Sequence, residues 1–159
     1  MAGFRPQAGF TLIEVVITVV IVGLLAGIAM PLTETVVRRS KEQELKAALM
    51  ALRNALDAYK DAADAGRIER KVGDSGYPPS LEVLVAGVAD RRQPTGARLY
   101  FLRRIPRDPF GDPGLPPAQT WSLRSYDSPP DSPRSGKDVF DVYSQAEGRA
   151  LDGTLYRDW

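Results

Sequence analysis

Hydrophobic positions follow three different patterns along this chain. From Phe10 to Leu32 they are almost continuous, and "FTLIEVVITVVIVGLLAGIAMPL" holds one charged residue, Glu14. At the helical rise such a run is about 34 Å long, enough to cross a bilayer core. Further on the continuity gives way to a stripe. Leu45, Leu49, Leu52, Leu56, Tyr59 and Ala63 recur at alternating spacings of four and three, one face of an amphipathic helix. Lys46, Arg53, Asp57, Lys60 and Asp61 take the other faces, Glu42 and Lys46 stand at a supportive i,i+4 spacing, and Gly66 is the expected stop. Pro31 cannot donate an i→i−4 hydrogen bond, so a bend or local melting is expected over Ala26 to Pro31. Gly23 and Gly27 lie on one side there and favour flexibility or close packing.

After about Arg67 the apolar residues come in short groups. "YPPSLEVLVAG" predicts a turn and a short helix capped at Ser80 and ending near Gly87, while "ARLYFLRRIP", "TWSLRSY" and "DVFDVYS" predict strands. "PRDPFGDPGLPP" and "DSPPDSPRSG" between them predict turn-rich loops. Disordered linkers are the other reading of these two stretches, but both are short and lie between aromatic strands. The expected fold class is α+β: one long N-terminal helix packed on a small antiparallel β-sheet domain.

Composition then removes whole classes of function. The 21 basic and 20 acidic residues leave a net charge of +1, with no asymmetry pointing to nucleic acid. The absence of Cys excludes disulfides, thiolate nucleophiles and Cys-based zinc sites. The absence of His removes the commonest general base and transition-metal ligand. No motif arranges Asp, Glu, Lys, Ser or Tyr for catalysis, so no enzyme, catalytic residue or cofactor is expected.

The apolar run needs its own account. A cleaved secretory signal would be shorter and would end in a small-residue junction. A plain signal anchor explains the hydropathy but not Glu14, because an intramembrane acid is costly and is usually retained for a partner. Basic residues do not settle orientation: Arg5 precedes the run, and Arg38, Arg39 and Lys41 follow it, slightly favouring a cytoplasmic carboxyl-terminal side.

The polar leader "MAGFRPQAG" and the run after it closely resemble the class III signal of type IV prepilins and of the pseudopilins of type II secretion. Gly9, Phe10, Thr11, Leu12 and Glu14 all stand in place. "GYPPSLEVL", "YFLRRIPRDPFGDP", "FDVYS" and "LYRDW" are in turn similar to the G-type major pseudopilins. The resemblance implies a leader over 1–9, a transmembrane and filament-core half of a helix over 10–32, its amphipathic half over 33–66, and a C-terminal α+β globular region over 67–159. It implies cleavage by a prepilin peptidase between Gly9 and Phe10, N-methylation of Phe10, assembly through Phe10 and Glu14, and a kink at Pro31. The implied function is that of a structural subunit polymerising into a periplasmic pseudopilus. Its implied partners are copies of itself, other pseudopilins, the inner-membrane assembly platform and, before assembly, membrane lipid. The implied location is the bacterial inner membrane, single-pass, with the C-terminal domain in the periplasm. A type IV pilus subunit and a membrane-tethered periplasmic binding module are the alternatives.

Two residue sets carry physical consequences under this resemblance. Cleavage creates an amine at Phe10 that is largely cationic near neutral pH, and a neighbour's Glu14 carboxylate can neutralise it in an apolar core. The net stabilisation of such a pair is small, but an unpaired Glu14 penalises wrong staggers, so the pair sets register. The competing reading is a Glu14 that snorkels to the headgroups. In typical major pseudopilins the Ser after the late strand opens a calcium loop. Here "SQAEGRALDG" follows; Ser144, Glu147 and Asp152 are oxygen ligands, yet the expected Asp is missing and the spacing is altered. Solvated loop acids are the competing reading, and no metal ligand is assigned.

Overall fold

The computed structural model describes residues 9–93 and 96–159, with residues 27–32 described by their backbone alone. The expected leader lies outside the described residues except for Gly9. Helix α1 spans Leu12–Asp64, 53 residues, and is continuous through Pro31. The local melting expected over Ala26 to Pro31 is not found, the backbone there being helical throughout. The chain divides into two compact units, Met1–Ser40 and Lys41–Trp159.

In the first unit every described side chain from Leu12 to Ala26 is exposed, with Leu12 86% and Leu25 64% accessible. Val, Ile and Leu occupy all faces of this stretch, so no single stripe exists that the chain's own folding could cover. Among the described residues no helix is long and apolar enough to cross a membrane. The span expected over 10–32 runs on through residues 27–32, whose side chains lie outside the described ones.

The second unit begins with the striped part of α1. Leu45, Leu49, Leu52, Leu56, Tyr59 and Ala63 are all buried, in one core with Leu81, Leu84, Trp121, Val139, Val142 and Tyr156. Each fully buried leucine contributes on the order of 1.5–3 kcal/mol of transfer free energy. The helix stops where expected. The Arg67 N–H donates to the Ala62 carbonyl at 2.9 Å and the Gly66 N–H to Ala63 at 3.0 Å, a Schellman closure. It needs a left-handed residue at the turn, and Gly66 has φ +71.

Helix α2 covers Glu82–Ala86 and ends at Gly87. Its N-cap is Leu81, with no side-chain capping bond, so Ser80 does not cap it. The buried Leu81 side chain and the Leu84 N–H to Leu81 carbonyl bond at 3.2 Å fix that end instead. Strands β1 (Val88–Ala89) and β2 (Arg98–Leu99) pair antiparallel, with Val88 opposite Leu99. Strands β3 (Trp121–Arg124) and β4 (Asp141–Ser144) pair antiparallel, with Trp121 opposite Ser144 and Arg124 opposite Asp141. The fold is α+β as expected, with two separate two-stranded ribbons where one sheet was expected.

"ARLYFLRRIP" supplies only the two residues of β2. The Phe101 and Leu102 N–H groups both donate to the Leu84 carbonyl at 3.0 Å. They satisfy an acceptor near the end of α2 instead of extending a ladder. The two Pro-rich stretches are closed turns: Arg107 donates to the Asp112 and Leu115 carbonyls, and the Ser125 N–H donates to Arg134 across the β3–β4 loop.

Candidate functional site

The residues expected to act in processing and assembly open α1. Gly9 and Phe10 precede the helix, both exposed; Phe10 is 80% accessible, and a Cβ on Gly9 would meet nothing within 4 Å. Among the described residues nothing crowds Gly9. Glu14 lies exposed in the first turn, where the positive end of the helix dipole favours a carboxylate. Its N–H donates to Thr11 Oγ1 at 3.3 Å and to the Thr11 carbonyl at 3.1 Å. Thr11 is therefore the N-cap, and Thr11-x-x-Glu14 has capping-box spacing, a signal present in the sequence that hydropathy alone passes over. The Glu14 carboxylate has no ion-pair partner among the described residues. One turn on, the Thr18 hydroxyl donates to the Glu14 carbonyl at 2.6 Å and lies 3.0 Å from that of Val15, so a polar group in an apolar helix satisfies itself.

A second group of polar residues lies inside the second unit. Asp108, from "IPRDPFG", is 0% exposed. Its carboxylate accepts the Phe110 N–H at 2.8 Å and the Ser144 hydroxyl at 2.6 Å, while its own N–H donates to Thr120 Oγ1 at 3.1 Å. Trp121 Nε1 donates to the Pro106 carbonyl at 2.8 Å. Gly111 has to be glycine because a Cβ there would stand 2.9 Å from the Thr120 Cβ. This segment thus joins the start of β3, through backbone groups of Pro106 and Asp108, to the end of β4, through the buried Asp108 carboxylate. Nothing in the local sequence announced Asp108, since its partner Ser144 is 36 residues away.

In the loop after Ser144 two of the three oxygen-bearing side chains considered for calcium are held by protein donors. The Ser144 hydroxyl already donates to Asp108 and accepts the Ala146 N–H at 3.1 Å. Asp152 Oδ1 accepts both the N–H and the hydroxyl of Thr154, at 3.0 and 2.6 Å. These bonds, the hydroxyl's first, hold the Asp152 carboxyl below the usual range. Glu147 is exposed. Among the described residues no three or more His, Cys, Asp or Glu side chains stand together as a metal site.

Residues 4–30 match the prokaryotic N-terminal methylation motif. The type II secretion system core protein G of Klebsiella pneumoniae is 31% identical over 142 residues, covering 85% of this chain and 94% of the relative. That of Aeromonas hydrophila is 34% identical over 116 residues, 69% of this chain and 71% of the relative. That of Vibrio cholerae is 34% identical over 116 residues, 70% and 71% respectively. No solved structure matches the chain at comparable significance. With one relative matched over almost its whole length and the methylation motif lying on the apolar run, the chain belongs to the family of the type II secretion system core protein G, the major pseudopilins.

Proposed function

We propose that this pseudopilin polymerises, through the apolar part of α1, into a pseudopilus, and that it carries no chemistry of its own. The observation that carries this reading is the exposure of Val, Ile and Leu on every face of Leu12–Ala26. A contiguous apolar surface of that extent needs an outside partner. Membrane lipid serves before assembly, with the chain crossing the inner membrane once over 10–32 and residues 41–159 in the periplasm. Neighbouring copies serve afterwards. A prepilin peptidase cuts between Gly9 and Phe10 and methylates Phe10; the new amine meets a neighbour's Glu14, and the flexible point for packing lies at Pro31. The inner-membrane assembly platform and other pseudopilins complete the machine.

The test is Glu14→Gln, which keeps size and hydrogen bonding while deleting the charge, in cells carrying the native secretion apparatus. Intact-mass measurement of the membrane-resident protein should show residues 1 to 9 removed in wild type and variant alike. Filaments and secretion should be lost in the variant at normal protein levels. If Glu14→Gln and Glu14→Ala both polymerise and secrete like wild type, Glu14 acts only as the N-terminal helix residue described above.

A further inference from the structure

The chain beyond Ser144 is closed by groups from within the second unit, and one of them is a buried carboxylate on α1. Glu42 is only 9% exposed. Its Oε1 accepts the Leu151 N–H at 2.9 Å and the Tyr156 hydroxyl at 2.9 Å, donors 109 and 114 residues further along the chain. Inside the loop, Arg149 and Leu155 form an antiparallel bridge, and the Ala150 N–H donates to the Thr154 carbonyl at 2.8 Å. Rings carry the closure further. Tyr156 stacks on Phe110 with centroids 4.4 Å apart, Trp159 meets Tyr156 edge-on at 5.3 Å, and Lys46 Nζ stands 4.2 Å over the Trp159 ring.

The geometry points to Glu42 as the positioning residue of this loop, which closes on protein groups without calcium. A bound cation organises a loop by gathering oxygens around positive charge. Glu42 does the converse, gathering a backbone N–H and a phenol hydroxyl around negative charge. Hydrogen bonds to an ionised acceptor are among the stronger ones a chain makes, and here both donors come from the segment being held. Two of the three side chains considered for a cation are turned to protein groups instead, Ser144 to Asp108 and Asp152 Oδ1 to Thr154. The i,i+4 spacing of Glu42 and Lys46 therefore understates both residues: one holds the loop by hydrogen bonds, the other by its contact with Trp159.

Amide hydrogen exchange followed by mass spectrometry, on the full-length protein in detergent, reads this loop directly. Peptides covering residues 148–157 should exchange equally fast in calcium chloride and in a calcium chelator. Glu42→Leu keeps a good helix former and removes the acceptor, and should speed exchange of these peptides by roughly tenfold or more in both solutions. Tyr156→Phe keeps the ring on Phe110 and deletes the hydroxyl, and should give a smaller acceleration of the same peptides. Exchange that slows in calcium relative to chelator overturns the inference, and so does wild-type exchange in Glu42→Leu. Neither result bears on filament formation, which rests on the other unit.

Discussion

Two stretches of α1 put similar residues to opposite use. Between Leu12 and Ala26 apolar side chains cover the whole circumference and all are exposed; between Leu45 and Ala63 most of them form a single stripe, and that stripe is buried. Backbone geometry is the same in both, so the difference lies in where the partner is. A stripe of leucines at spacings of three and four can be covered by one surface, and α2, β3 and β4 of the same chain supply it. A helix apolar all round needs a medium or several neighbours, which one short chain cannot provide. The residue types agree with this division. Val and Ile crowd the first stretch, whereas Leu and Ala, better helix formers, fill the second.

Matched substitutions in the two stretches should separate assembly from folding. The largest effect is expected from Val19→Asp. A charge near the middle of the apolar run costs about 2.5–3.5 kcal/mol of membrane insertion and places an unpaired carboxylate in any filament core. Secretion should be abolished, while the melting of residues 41–159 stays at its wild-type temperature. Both tryptophans and all six tyrosines lie in that unit, so the tryptophan and tyrosine bands of the near-UV circular dichroism of the full chain report on it alone. Leu52→Ala should behave in the opposite way. It removes a fully buried side chain and should cost about 2–5 kcal/mol in urea titration. A loss below about 0.5 kcal/mol would mean that the stripe is not the core.

What the sequence made legible follows the same division. Period and hydropathy are local properties, so the helix, its buried stripe and the Gly66 stop could be read directly. The strands at Trp121 and Asp141 were readable because each is a short apolar-aromatic group between turns. The loss of a strand after Leu99 was not, since it depends on Phe101 and Leu102 donating to a carbonyl of α2. Long-range pairs were also hidden. Asp108 with Ser144, and Glu42 with Leu151 and Tyr156, join residues that only the folded chain brings together. At the amino-terminal site the capping role of Thr11 was also legible, because Thr11-x-x-Glu14 is a local spacing that hydropathy alone passes over.

A pH titration sharpens the comparison at one remove, because the polar centre of the second unit has no counterpart among the described residues of the first. Asp138 is buried beside β4, which on its own would raise its carboxyl. The bonds it accepts from Ser75, from the Tyr126 N–H and from Ser125, at 2.5, 2.8 and 2.7 Å, outweigh burial and leave it below the usual carboxylate range. A carboxyl depressed in the folded state gives stability that is present above its unfolded pKa, about 3.9, and is lost as pH falls through the folded value. Melting temperature should therefore drop on acidification below about pH 4. Asp138→Asn should melt lower at neutral pH and fall less steeply in acid. An acid limb as steep in the variant as in wild type would assign the loss to other groups.

The smallest expected effect falls at Met50, which sits in the striped half of α1 next to buried Leu49 yet is 66% exposed. A single exposed apolar residue is ordinary on a protein surface, whereas the run from Leu12 to Ala26 is contiguous. If contiguity is what marks an intermolecular surface, Met50 lies outside it. Met50→Ala should then change stability by less than about 0.5 kcal/mol, because it vacates no core volume and both residues are good helix formers. Secretion should match wild type too. A loss of stability above about 1 kcal/mol would place Met50 in intramolecular packing, contrary to its exposure. A secretion defect with unchanged near-UV melting would be more instructive. It would carry the intermolecular surface past Ser40 onto the back of the packed helix, so that one stretch of α1 would face its own chain on one side and a neighbouring copy on the other.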